Sequence, residues 1–176
     1  KMGTKLNLLK RTFEDVYGSG YNITEYKGQE NTQRLTPIEN NVYVHDCVFR
    51  DCLSTSSGGA LSCGTGVCRL LVERSIFISC KISSKYTKGG TIFLQNSKSG
   101  QCVLSKVCGF NCSSTLILKY HAIEGPFAYI STKQSDVTIK NHVNDSSISH
   151  TIIEGTDIHG TLYLFYGKIC CPSVNI

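Results

Sequence analysis

Apolar residues come along this chain in short bursts, such as those within VCRLLVERSIFI (67–78) and TIFLQ (91–95), parted by Ser, Thr, Lys and Gly. The bursts keep no sustained 3.6-residue recurrence and are as long as single strands, so they predict strand, turn, strand, turn. One segment departs from this. LNLLKRTFEDVY (6–17) places Leu6, Leu9, Phe13 and Val16 or Tyr17 at helical spacing and predicts a short amphipathic helix.

The bursts recur as a unit. FRDCLSTSSGGALSC (49–63) is followed by FISCKISSKYTKGGTIFLQ (77–95), and the Gly opening each apolar step stands at Gly59, Gly90, Gly125 and Gly160, at intervals of 31, 35 and 35. A second series, Phe49, Phe77 and Phe110, runs at 28 and 33, and a further 33 residues reach Val143 of VNDSS, in the place of FNCSS. A unit of roughly 30 residues without a helix is too short for a four-stranded propeller blade and lacks the Leu and Asn pattern of a leucine-rich repeat. It predicts an all-β fold, a right-handed parallel β-helix (solenoid) of about four to five coils over residues 41–176. Residues 1–40 then form a short N-terminal cap or a degenerate first coil.

Stacked coils align equivalent residues into ladders about 4.8 Å apart. Phe49, Phe77 and Phe110 are expected as an inward aromatic stack, and Leu61, Ile92, Phe127 and Leu162 as an inward aliphatic one. The Gly before each of the latter is expected to turn a corner at positive φ.

Cysteine usage adds a compartment. Ten cysteines in 176 residues suit paired thiols in an oxidising environment. Cys52 and Cys80 each stand three after a Phe, and Cys68 and Cys102 open successive units, so Cys52 with Cys80 and Cys68 with Cys102 are the disulfide candidates. A ladder of buried free thiols is the alternative. Zinc on Cys47, Cys52, Cys63 and Cys68 is a third reading, weakened by the absence of C-x2-C knuckles. Sequons at Asn22, Asn111 and Asn144 are glycosylation candidates and fit a secreted or cell-surface protein.

Charge excludes more than it suggests. A net charge of +5 is spread without a basic run, which gives no footprint for nucleic acid. No apolar run approaches the roughly 20 residues that span a bilayer, and no signal peptide opens the chain. The sequence reads as a mature protein or as part of a longer one.

GGAL (58–61) with FRDC (49–52), then GGTI (89–92) with FISC (77–80), resemble the GGA[ILV] and FxxN repeat of chlamydial polymorphic membrane proteins. The Cys-for-Asn form, with VCGFNCSS and NDSSISHT downstream, is similar to Cys-rich right-handed β-helix surface proteins of trichomonad protists. The likeness covers roughly residues 41–165. It implies a noncatalytic adhesive or structural module at a cell surface, partnered by other copies of itself, by further coils of a longer chain, or by surface glycans or host proteins.

The alternative is a carbohydrate-active enzyme, a polysaccharide lyase or glycoside hydrolase, since one fold hosts many functions. Asp46, Asp51 and Glu73 with Arg50 and Arg74 are its candidate residues, because adjacent coils would bring them near one another. Surface ion pairs account for them equally well. The five histidines are dispersed. No cofactor is implied. Outward Phe93, Tyr163 and Tyr166 hint at a binding face.

Overall fold

A computed structural model describes residues 12–84, 87–96, 100–114 and 127–131, together with strands at 146–149, 151–154, 162–165, 169–170 and 174–175. The fold is all-β. After α1 (Phe13–Tyr17) the chain forms β1 (Thr24–Lys27) and β2 (Glu30–Asn31), then β3 (Asn41–His45), β4 (Val48–Arg50), β5 (Leu53–Ser54) and β6 (Leu61–Cys63). The same series follows as β7 (Arg69–Glu73), β8 (Ile76–Ile78), β9 (Lys81–Ile82) and β10 (Ile92–Gln95), and again as β11 (Gln101–Ser105), β12 (Cys108–Phe110), β13 (Ser113–Ser114) and β14 (Ala128–Ser131). The remaining strands are β15 (Ser146–Ser149), β16 (Thr151–Glu154), β17 (Leu162–Phe165), β18 (Ile169–Cys170) and β19 (Val174–Asn175).

Consecutive strands go to different sheets, and each pairs with its counterpart one unit away. The first sheet runs β1-β3-β7-β11-β15-β18, the second β2-β4-β8-β12-β16-β19, the third β6-β10-β14-β17 and the fourth β5-β9-β13. Every named pairing is parallel. Parallel strands need a long return connection, and here the return path is the other sheets.

One core cluster joins Val42, Val44, Phe49, Leu61, Leu70, Val72, Phe77, Ile92, Leu94, Leu104 and Phe127, all essentially without solvent contact. Phe49 lies flat on Phe77, with ring centroids 4.8 Å apart and planes at 5°. Each such ring contributes about 2–3 kcal/mol through burial.

The third ring of the stack is not the expected one. Phe110 is 56% exposed and points out of the second sheet. Opposite Phe77 stands Gly109, and Phe110 is level with Ile78. Phe127 fills the space that Gly109 leaves, meeting Phe77 edge-on at 5.9 Å and 84°. A Cβ on Gly109 would come within 2.4 Å of the Phe127 ring. The aliphatic ladder shifts with it: its rungs are Leu61, Ile92, Ala128 and Leu162, so Ala128, not Phe127, holds that position.

Two other markers move. Positive φ belongs to the first Gly of each pair, Gly58 (75°) and Gly89 (61°), while at Gly59 a side chain would strike the backbone oxygens of Gly90 and Lys81 at 2.4 and 2.6 Å. Gly125, Gly160 and Val143 lie outside the described residues. The counterpart of Phe110 is Glu154, 44 residues on, because 132–145 separate β14 from β15 where five residues separate β6 from β7.

Residues 24–35 pair as a further layer: β1 adds to β3, β2 to β4, and Leu35 bridges to Leu61. The helix begins at a capping box, Thr12 with Asp15. It lies along the outer side of the first sheet, where Phe13 packs with Tyr43 and Leu71, and Val16, Tyr17 and Val103 border them. The Tyr17 hydroxyl donates to the Leu70 carbonyl at 2.6 Å. Leu6 and Leu9 lie outside the described residues.

Candidate functional site

Two series of corners position the polar chemistry. Between the strands of the first and second sheets the corner residue is Asp46, Arg74 or Lys106, and at the next corner it is Asp51, Ser79 or Asn111. All six take positive φ, between 45° and 56°. Left-handed backbone turns the chain within one residue and costs about 1 kcal/mol for a residue with a Cβ, less for Asn and Asp.

At the first corner the register puts His45 opposite Glu73, and the corner residues reach across. Arg74 grips Asp46 through Nε at 2.7 Å and Nη2 at 3.1 Å, and its Nη1 bonds Glu73. The Tyr43 hydroxyl donates to the same Glu73 oxygen at 3.2 Å. His45 lies between two carboxylates, with Nδ1 2.7 Å from Asp46 and Nε2 2.6 Å from Glu25, and its ring stacks on Tyr43 at 4.2 Å.

This brings together three of the five candidates, Asp46, Glu73 and Arg74. Arg50 and Asp51 stand exposed around the next corner. Glu25, Tyr43 and His45 complete the cluster. A glycosidase pair needs one carboxyl held protonated. Asp46 is the opposite case: hydrogen bonds from Arg74 hold its carboxyl well below the usual carboxylate range. Glu73 is wholly buried, and its Oε1 has no hydrogen-bond partner among the described residues. The arrangement clamps β1, β3 and β7 together, with Asp46 and Glu73 both bonded to Arg74.

A pH effect follows. Asp46 has a folded pKa below its unfolded value of about 3.9, so its contribution to stability is complete above that pH and is lost as the pH falls toward the folded value. The side chain is 38% exposed, so water screens the effect. Asp46→Asn is expected to lower the urea midpoint at pH 7 and to flatten its fall below about pH 4. An unchanged acid limb in the variant would contradict this.

The cysteines form a second constellation, which holds the disulfide candidates. Cys52 and Cys80 stand one layer apart as expected, but as free thiols, in line with Cys112. Each thiol donates to the layer before it: Cys52 to the Asn31 carbonyl (3.5 Å), Cys80 to Phe49 (3.5 Å), Cys112 to Phe77 (3.4 Å). Hydrogen bonds with the Cys112 and Cys52 sulfurs, together with burial, push the Cys80 thiol up. Cys68 and Cys102 are not level: Cys102 stands opposite Leu70, two positions beyond Cys68. Burial pushes Cys63 and Cys102 up as well. Maleimide is therefore expected to modify exposed Cys108 rapidly in the folded protein, and Cys52, Cys80 and Cys112 only after unfolding, without any reductant. A need for reductant would restore the disulfide.

Among the described residues, no group of three or more His, Cys, Asp or Glu is placed to hold a metal ion. No helix there is long and apolar enough to cross a membrane. Asn111 is exposed at its corner, donating to Ser79 Oγ at 3.2 Å. Asn22 is exposed, and its backbone carbonyl accepts from the Asn41 side chain at 3.0 Å. Asn144 and Tyr166 lie outside the described residues. Phe93 is half-buried, stacked at 5.5 Å on Tyr129, and Tyr129 is level with Tyr163. Comparison with protein-family models, with curated proteins and with solved structures finds no match for this chain.

Proposed function

We propose that the four parallel sheets are faces of one right-handed β-helix of about four to five coils, and that it is a noncatalytic secreted or cell-surface module for adhesion or structural assembly. The observation carrying this reading is the use of the polar and reactive side chains. Asp46 and Glu73 are consumed by Arg74, and the ladder thiols are consumed by the backbone of the neighbouring layer. What remains outside is long, regular surface. The likeness of GGAL, GGTI, FRDC and FISC to repeats of bacterial and protist surface proteins supports the same reading.

The test is to label intact source cells with a membrane-impermeant amine reagent and to incubate the purified protein with a panel of acidic and neutral polysaccharides. Surface labelling without chain cleavage is the expected result. Release of unsaturated or reducing ends, abolished by Glu73→Gln in a folded protein, would establish the enzyme instead.

A further inference from the structure

An aromatic residue stands directly before two of the sequons, Tyr21 before Asn22 and Phe110 before Asn111. Both asparagines are exposed. Their aromatic neighbours differ. Tyr21 is already engaged, with the Arg69 guanidinium 4.1 Å from the centre of its ring and Phe13 edge-on at 6.4 Å. Phe110 is 56% exposed and makes no ring or cation contact among the described residues. A flat apolar surface is therefore open beside Asn111 and taken beside Asn22.

We infer that Asn111 carries an N-linked glycan whose first sugar, an N-acetylhexosamine, lies on the Phe110 ring. The corner shapes the acceptor. Asn111 follows β12 with φ at 52°, a backbone that asparagine adopts at lower cost than most residues. Its amide nitrogen has two hydrogens. One is donated to Ser79 Oγ at 3.2 Å, and the other is the one exchanged for sugar. In that exchange Nδ2 bonds the anomeric carbon of a polyprenyl-pyrophosphate-linked oligosaccharide and loses its proton, while the bond from that carbon to pyrophosphate breaks and the pyrophosphate leaves with the electron pair. The bond to Ser79 survives.

Timing follows from the neighbours. Cys112 is buried with its thiol on the Phe77 carbonyl, and Ser113 is paired with Lys81, so the sequon is built into the ladder once the chain folds. Transfer therefore precedes folding. Consecutive Cα atoms are about 3.8 Å apart, which starts the sugar beside the ring. A pyranose presents C–H groups from its face, and these suit the negative face of an aromatic ring. Covering Phe110 also takes apolar surface out of water. The same sugar on Asn22 finds the Tyr21 ring occupied by Arg69. This inference rests on the secreted or cell-surface reading proposed above, since lipid-linked sugars are transferred during export, and it names a modification of that surface.

The experiment begins with the full chain from its native source, digested and analysed by mass spectrometry before and after peptide N-glycosidase treatment in heavy-oxygen water. A peptide bearing N-acetylhexosamine at Asn111, converted by the enzyme to labelled aspartate, is expected. Thermal melts of chains from a secretory host test the contact. Parent protein made with lipid-linked sugar synthesis blocked should melt about 1–2 °C below the glycoprotein. For Phe110→Ala the glycosylated and unglycosylated forms should melt together, which removes the effect of sugars at other sequons from the comparison. Unmodified Asn111 in a chain that labels at the cell surface overturns the inference and leaves the reading beneath it standing. A chain that never reaches the surface overturns the reading itself. Equal shifts in the parent and in Phe110→Ala overturn the contact between sugar and ring.

Discussion

Phe77→Ala is expected to lower the unfolding free energy by about 3–5 kcal/mol, whereas Phe110→Ala should change it by less than about 0.5 kcal/mol. Phe77 is held on two sides, flat against Phe49 at 4.8 Å and edge-on to Phe127 at 5.9 Å. Its neighbours are fixed by strand pairing, Phe49 on β4 and Gly109 on β12. The surrounding backbone cannot collapse into the hole, so the lost contacts and the residual cavity add. Phe110, one residue past Gly109, has solvent on its outer side. Urea titrations of the two variants beside the parent measure the difference directly. Equal losses, or the larger loss at Phe110, would put the ring inside after all.

The second large effect is expected at Arg74. Arg74→Met removes the cation bonded to Glu73, whose side chain has no solvent exposure. The carboxylate keeps the Tyr43 hydroxyl but loses its counter-charge, and its Oε1 has no hydrogen-bond partner among the described residues. Breaking a buried pair from one side costs about 3–5 kcal/mol. Removing both charges, as Glu73→Gln with Arg74→Met, should recover most of that, because no uncompensated charge stays inside. A double-mutant cycle measures this. If the double variant is less stable than Arg74→Met alone, the clamp is not electrostatic in origin.

The misplacement of Phe110 shows what could be read from the sequence and what could not. FRDC and FISC share the spacing Phe-x-x-Cys, but the third copy is GFNC, in which Phe stands only two before Cys112. Either the aromatic or the cysteine had to leave register, and a one-residue slip in a strand moves a side chain to the opposite face. The cysteine kept its place, because its thiol bonds the carbonyl of the layer before, as Cys52 and Cys80 do. Weighting the thiols over the rings would have exposed Phe110 and placed Gly109 inside. That Phe127 would fill the vacancy was beyond reach, since it arrives from a different sheet.

The polar cluster was half legible for a similar reason. Asp46 and Glu73 with Arg74 come from units 28 residues apart, the interval at which the markers repeat. Glu25 belongs to the layer of β1, where Lys27 stands opposite His45 after only 18 residues. No repeat marker reaches that far back, so His45 looked solitary. The Gly pairs were recognised as corners, but the first Gly of each pair takes left-handed backbone, whereas at Gly59 the carbonyls of the next layer leave no room for a Cβ.

Shared register between layers also governs how such a gene can grow or shrink. Arg69 stands opposite Gln101, 32 positions on. Excising 69–100 would join Cys68 to Gln101 and hand every downstream strand a partner already in phase, with inward residues still inward. Phe49 would meet Gly109 and the ring of Phe127, much as Phe77 does now. The unit of inheritance is then the layer and not the residue. Unequal recombination within the repeat can yield shorter or longer proteins that fold at once, whereas a deletion of even one residue inside a strand cannot.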